Sequence, residues 1–170
     1  MITIELLTER NFNLNSLDEY ERRHEVTKVY RKQNSEYVLV ERPYIEDWSI
    51  DERRQIATKM SSDDYVSYIA LENKKVAGFI ALKKSLIDNY MILDEMHVGS
   101  HYRGQGLGRK LFALGIEEAK RAGAEALYIS ACSSEETIAF YKAMGAILTS
   151  NPIKEMAEKE PYDLQMVCEV

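Results

Sequence analysis

Apolar and polar side chains alternate from Ile2 to Leu7, the period of a strand with one buried face. Ser16-Leu17-Asp18-Glu19 fits a capping box, with Ser16 as N-cap and Glu19 at N3, and predicts a short helix to about His24. "VTKVYRK" and "EYVLVER" are rich in β-branched and aromatic residues, flank Gln33-Asn34-Ser35, and predict a hairpin whose second strand Pro43 stops. Asp51 to Met60 reads as a helix, with Ile50, Ile56 and Met60 on or near one face. "YVSYIALE" and "KVAGFIALKK" surround Asn73-Lys74, a tight turn between antiparallel strands.

Tyr90 to Val98 is the next strand, and a glycine-rich corner follows it. Leu107, Leu111, Leu114, Ile116 and Ala119 give the following helix a buried stripe, and Gly123 ends it. Ala126 to Ala131 is a strand. Ser134 to Met144 is a helix with Ser134 as N-cap, two glutamates in its first turn and Gly145 at its close. "AILTS" and "YDLQMVCEV" supply the last two strands. The order in the second half predicts an α/β (α+β) arrangement around a mixed sheet. No repeat, low-complexity tract or Gly/Ser/Pro linker divides the chain, so residues 1–170 are expected to form one domain with a core of its own.

Composition narrows the class only a little. Apolar content of 45% and charged content of 29% are ordinary for a globular protein. The N-terminal stretch has no signal-peptide pattern and no apolar run could span a bilayer, so a cytoplasmic location and no membrane partner are expected. The net charge of −6 argues against nucleic acid as the main partner and suits a cationic or neutral ligand. Cys132 and Cys168 lie far apart and resemble neither a C-x-x-C pair nor a zinc framework, so two reduced thiols are expected.

The stretch "HVGSHYRGQGLGRKLF", His97 to Phe112, carries the chemistry. Gly104, Gly106 and Gly108 alternate between an apolar strand and an amphipathic helix, with Arg103, Arg109 and Lys110 beside them. Backbone N–H groups converging at a helix N-terminus bind phosphate, and glycine lets an anion approach closely. The expectation is a pyrophosphate site. It is not a P-loop, because no Ser or Thr follows a Gly-Lys pair, and the dinucleotide fingerprint fails in its third glycine.

"YRGQGLGRKLF" resembles the R/Q-x-x-G-x-G/A signature of the GNAT superfamily, the GCN5-related N-acetyltransferases, and "ETIAFYKAMGA" resembles that family's second conserved block. The resemblance covers about Val66 to Leu148. It implies the GNAT acyl-CoA N-acyltransferase fold, a mixed, mostly antiparallel sheet flanked by helices, here with an added N-terminal hairpin. It implies that the Tyr90–Val98 strand carries a bulge and splays from the Ala126–Ala131 strand, with acetyl-CoA in the resulting V. Its pyrophosphate would sit on amides of Arg103, Gly104, Gln105, Gly106, Leu107 and Gly108, with Arg109 and Lys110 nearby. Its pantetheine would pair with the backbone at Met96, His97 and Val98. Ser134 stands where many relatives carry a cofactor-binding asparagine, and Ile92 where some carry a catalytic glutamate. The resemblance implies that no metal is needed, and a homodimer is expected by analogy.

The implied reaction is acetyl transfer from acetyl-CoA to a primary amine, a small molecule before a peptide, by direct attack in a ternary complex. The rival is a non-catalytic acyl-CoA-binding sensor. The amine must be neutral to attack, an N–H near Met96 would face the oxyanion, and the leaving thiolate needs a proton. Tyr141 matches the family's tyrosine acid; otherwise it is a core residue beside Phe140. Asp94 and Glu95 are comparable candidates for the base. As strand neighbours they should point to opposite faces, so at most one would face the acetyl group. His97 is a third candidate. Cys132 as a covalent relay lacks a nearby activating base. The acceptor pocket is expected from the hairpin, "RPYIEDW", Ser85 to Asn89 and "NPIKEMAEKEPYD". Their acidic members, among them Glu46, Glu155, Glu160 and Asp163, and aromatic members such as Trp48 suit a cationic amine.

Overall fold

The computed structural model describes residues 1–170. Nine strands run in chain order as β1 (Thr3–Leu6), β2 (His24–Gln33), β3 (Glu36–Glu46), β4 (Tyr65–Glu72), β5 (Lys75–Lys83), β6 (Tyr90–Val98), β7 (Ala126–Ala131), β8 (Ile147–Leu148) and β9 (Leu164–Glu169). The helices are α1 (Ile50–Ser61), α2 (Leu107–Arg121), α3 (Glu135–Ala143) and α4 (Lys154–Lys159). Seven strands form one sheet in the order β1-β4-β5-β6-β7-β9-β8, while β2 and β3 pair only with each other. All neighbours in the large sheet are antiparallel except β6 and β7.

Helices cover both faces of the sheet, which explains why β5 reads as the nearly continuous apolar run "VAGFIAL". Ile80 and Leu82 meet Leu107, Leu111 and Phe112 of α2, and α3 adds Ile138 and Tyr141 to this larger core. The alternate residues Phe79 and Ala81 face the other way, onto Ala57 and Met60 of α1. On that second face Ile92 and Tyr128 pack against Ile153 at the start of α4. Truncating the fully buried Leu111 to Ala would cost about 2–5 kcal/mol. No helix is long and apolar enough to cross a membrane.

Several sequence expectations need correction. Ser16 caps no helix: its hydroxyl accepts from the Asn13 amide at 2.9 Å, and the segment turns through short-range bonds such as Tyr20 N–H to Leu17 O at 3.1 Å. Burial decides this, because Phe12, Leu17 and Tyr20 anchor an irregular segment beneath α1. The working capping box is Ser49-Ile50-Asp51-Glu52, where the Ser49 hydroxyl accepts from the Glu52 amide at 3.1 Å. Pro43 does not stop β3, which continues to Glu46. Pairing steps from Val26–Tyr44 to Lys28–Glu41, so Pro43 sits in the irregularity, where no ladder bond is required of it. The helix α4 arises in a tail that carried no helical expectation.

Glycine is not needed at three tight turns. Asn34-Ser35, Asn73-Lys74 and Asp88-Asn89 each hold both residues at positive φ, the type I′ geometry that matches strand twist. The β2–β3 hairpin lies across the far end of β7. Val29 bridges to Ser134, the Tyr30 amide donates to Ser133 O at 2.8 Å, and Arg31 donates to the Ser133 hydroxyl at 2.8 Å.

Candidate active site

Parallel pairing of β6 with β7 ends at Leu93–Ile129, although both strands continue. On its other edge β6 pairs Glu95 with Ala81 and Leu93 with Leu82, leaving Asp94 as the extra residue of a β-bulge. The bulge bends β6 away from β7 where the pairing stops. The cleft that opens there has a volume of about 1450 Å³. Its lining comes from both faces of the sheet, from the glycine corner to α4.

On one face lies the N-terminus of α2. Gly106 takes φ +83° as its N-cap and Gly104 takes φ +76°. Nothing lies within 4 Å of where a Cβ would stand on either, so backbone conformation rather than crowding requires glycine there. No side chain caps this helix and no acidic residue occupies its first turn. Its first amides lack intrahelical acceptors and meet the cleft at Gly106, Leu107, Gly108 and Arg109. Gly108 is different: an added Cβ would come within 3.1 Å of the Phe140 ring, so this glycine lets α2 and α3 pack closely. The Arg103 guanidinium donates to Val98 O and Arg23 O, both at 3.2 Å, and ties the corner to the start of the hairpin. Arg109 is exposed beside the corner.

Met96, His97 and Val98 lie on the splayed part of β6 and line the cleft. Three nominated side chains stay off its wall. Gln105 bonds the His101 carbonyl at 3.1 Å, Lys110 points from the exposed side of α2, and Ser134 is fully buried as the cap of α3. Tyr141 is buried in the core with only 6% of its surface exposed, yet it reaches the cleft. Burial, followed by the charges of Glu95, Cys132 and Asp163, pushes its pKa above the ordinary tyrosine value and keeps the phenol protonated.

The other face is acidic and aromatic. Asp94 and Glu95 do not point to opposite sides, because the bulge breaks the alternation. Lys59 of α1 reaches both, at 3.3 Å from Asp94 Oδ2 and 3.0 Å from Glu95 Oε1. Tyr65 donates to Asp94 at 2.7 Å. Burial would raise the pKa of Glu95, but the hydrogen bond from His97 at 3.0 Å and the Lys59 ammonium outweigh it and hold Glu95 below the ordinary carboxylate range. Burial pushes His97 down, so the ring is neutral at pH 7, and its edge contact with Trp48 is 4.7 Å between centroids. Lys59 was missed in the sequence because its meeting with β6 is purely tertiary. Cys132 is a poor nucleophile: burial raises its thiol pKa, and its side-chain partner is the Tyr44 hydroxyl at 3.8 Å.

The model of the acetyltransferase (GNAT) family matches residues 26–146. The chain belongs to the GNAT acetyltransferase family. No curated protein matches it. Among solved structures, nourseothricin acetyltransferase superimposes with a TM-score of 0.76 at 18% identity, covering 99% of this chain and 98% of that one. A Bacillus anthracis str. Ames protein assigned as a streptothricin acetyltransferase, solved with acetyl coenzyme A, gives 0.75 at 18% identity, with 100% and 99% covered. The ribosomal-protein-S18-alanine N-acetyltransferase of Escherichia coli gives 0.63 at 20% identity, with 100% and 94% covered. The mostly antiparallel sheet flanked by helices is thus the GNAT fold, and this GNAT chain is an acetyl-CoA-dependent acetyltransferase. The glycine corner fits the donor's pyrophosphate: it is uncapped, free of acidic side chains in the first turn of α2, and open where a Cβ would stand.

Proposed function

We propose that residues 1–170 act as one domain that moves the acetyl group of acetyl-CoA onto a primary amine of a small cationic molecule, by direct attack in a ternary complex. The gap between β6 and β7 carries this reading. It joins the uncapped corner on one sheet face to an acidic, aromatic wall on the other. Two proteins that superimpose along the whole chain are named for nourseothricin and streptothricin, which favours a small acceptor over a polypeptide. The net charge of −6 favours a cation over nucleic acid.

Acetyl-CoA supplies an activated acetyl group as a thioester. The amides from Arg103 to Arg109 hold the pyrophosphate, and the free edge of β6 from Met96 to Val98 aligns the thioester arm. An amide near Met96 faces the carbonyl oxygen that gains charge. Tyr141 gives its proton to the departing sulfur, for which a protonated phenol is suited. Asp94 and Glu95 share one ammonium, which leaves a single net negative charge to attract the incoming amine. The hairpin, through His24 and Glu46, closes the rim above them.

Thermal unfolding with acetyl-CoA, ATP or NAD tests the donor, since a ligand of the folded state raises the midpoint. Acetyl-CoA alone should do so. Thiol release with streptothricin, set against a lysine-containing peptide, tests the acceptor. Stabilisation without thiol release would make the chain an acyl-CoA-binding sensor.

A further inference from the structure

Four hydrogen bonds run head to tail beside the acceptor wall. The Ile153 amide donates to the Tyr128 hydroxyl at 3.0 Å, and that hydroxyl donates to Gln165 Oε1 at 2.5 Å. Gln165 Nε2 donates to the Ser130 hydroxyl at 2.9 Å, which donates to Asp163 Oδ2 at 2.9 Å. Every donor points toward the carboxylate, so each bond polarises the next. Tyr128 is fully buried and Gln165 is 9% exposed, so the chain is fixed inside the fold. Ser130 stands one residue past Ile129, the last residue of β7 that pairs with β6, on the face shared with Tyr128. Both Ser130 and Asp163 line the cleft.

We propose that Asp163 is the general base, a carboxylate held at one oxygen by this relay and presented to the acceptor ammonium across the gap from Tyr141. The assignment rests on the acetyl-transfer reading above. Asp163 takes one proton from the ammonium and becomes a carboxylic acid. The freed nitrogen lone pair bonds to the acetyl carbon, and the carbon–sulfur bond breaks as Tyr141 protonates sulfur. The second proton lost by nitrogen restores Tyr141, and Asp163 returns its proton to solvent. The products are the amide, the free thiol and one proton.

Asp94 and Glu95 are less suited to this step, since both are tied to the Lys59 ammonium and Glu95 is a weak proton acceptor at neutral pH. The surroundings of Asp163 act the other way. Burial and the carboxylates of Glu160 and Glu46 push it up to about 6, against the Ser130 bond, which lowers it. The Cys132 thiol and the Tyr141 phenol also face it, and both are neutral at pH 7. A base with a pKa near the working pH transfers protons most effectively.

The test compares wild type, Asp163→Asn, Ser130→Ala and the control Glu117→Gln on the exposed side of α2. Acetyl-CoA stabilisation is measured first, then kcat/KM for streptothricin and for a lysine-containing peptide across pH, then the carboxyl NMR titration of the unliganded protein. Asp163→Asn should keep the acetyl-CoA stabilisation, lose about 10²-fold in kcat/KM and lose the acid limb near pH 6. Ser130→Ala should move that limb, and the carboxyl titration, to higher pH. An unchanged limb in both variants, or a rise in KM alone, overturns the assignment. If Asp163→Asn does not fold, the direction of the Ser130→Ala shift decides. A wild type that acetyl-CoA stabilises but that acetylates neither acceptor also overturns it. A wild type that acetyl-CoA does not stabilise instead sinks the acetyl-transfer reading on which it rests.

Discussion

Asp94 and Glu95 are neighbours on one strand, yet both bind the Lys59 ammonium, at 3.3 and 3.0 Å. Regular pleating would separate them, and the bulge at Asp94 brings them together. Removing the ammonium leaves two adjacent carboxylates facing each other. Lys59→Met should therefore destabilise the protein by about 1–2 kcal/mol, a figure kept low because the group is partly exposed. The pH dependence gives a second readout. Glu95 is depressed in the folded state, so its stabilisation is present above the ordinary value of 4.5 and is lost as pH falls through the folded value. Denaturant titrations should show wild type losing part of its advantage over Lys59→Met below about pH 4.5.

Gly106 and Gly108 should respond differently to substitution. The Cβ of Gly106→Trp has no protein atom within 4 Å, so unliganded stability should fall by only about 1–2 kcal/mol of left-handed strain. The same side chain stands over the free amides of α2, so stabilisation by acetyl-CoA should disappear. Gly108→Ala should lower unliganded stability through the Phe140 ring, which would lie 3.1 Å from the new Cβ. Melting curves with and without acetyl-CoA separate the two. Full acetyl-CoA stabilisation of Gly106→Trp would move the phosphate site elsewhere.

Tyr141→Phe removes the phenolic oxygen but keeps the ring that packs at 6.1 Å from Phe112 and 5.3 Å from Phe140, centroid to centroid. Stability and acetyl-CoA binding should stay close to wild type, while kcat falls about 10²-fold through loss of the acid. Stopped-flow thiol release under single-turnover conditions measures the step directly. A wild-type rate would make Tyr141 a core residue only.

What was legible in the sequence was local. The buried stripe of α2, the strand Ala126–Ala131 and the glycine corner each depend on neighbours within a turn or two, and each stands where its pattern placed it. Ser16 misled because a capping box is only an offer of hydrogen bonds. Burial of Leu17 and Tyr20 drew that backbone into turns, while the same motif at Ser49 met no such competitor. The acceptor wall was illegible in its pairings. Lys59 meets Asp94 and Glu95 across 35 and 36 positions, the first by 94 − 59 and the second by 95 − 59. Asp163 carried no more signal than the other tail carboxylates until Ser130, Gln165 and Tyr128 were seen in line behind it.

The type I′ turns lack the residue that geometry prefers. Lys74 holds φ +65° while exposed at the β4–β5 hairpin tip, and Ser35 holds φ +68° at the β2–β3 tip. Lys74→Gly relieves the left-handed strain and creates the Asn-Gly pair that favours this turn. The gain should be about 1 kcal/mol, or about 2–4 °C in Tm for a chain of this size. A lower Tm would show that Lys74 contributes more through its side chain than its backbone costs.

The carboxyl of Asp163 makes a distinct prediction in the protein without ligands. Its pKa is raised from 3.8 to about 6 on folding, so the folded state holds a proton over that interval which the unfolded state has lost. Its favourable contribution is therefore complete below about pH 3.8 and is lost as pH rises through 6. Above that range the protein bears the cost of a half-buried charge, on the order of 1–2 kcal/mol after allowing for solvent at the cleft. Asp163→Asn carries no charge at any pH and can still accept from Ser130. Its Tm should match wild type below about pH 3.8, rise above it as pH climbs to about 6, and stay above it at pH 8. A constant Tm difference across pH would place the ordinary carboxylate value on Asp163 and remove the energetic reason for its suitability as a base. A stability gain coupled to lost turnover is the pattern expected when a group is held in an unfavourable state for its chemistry.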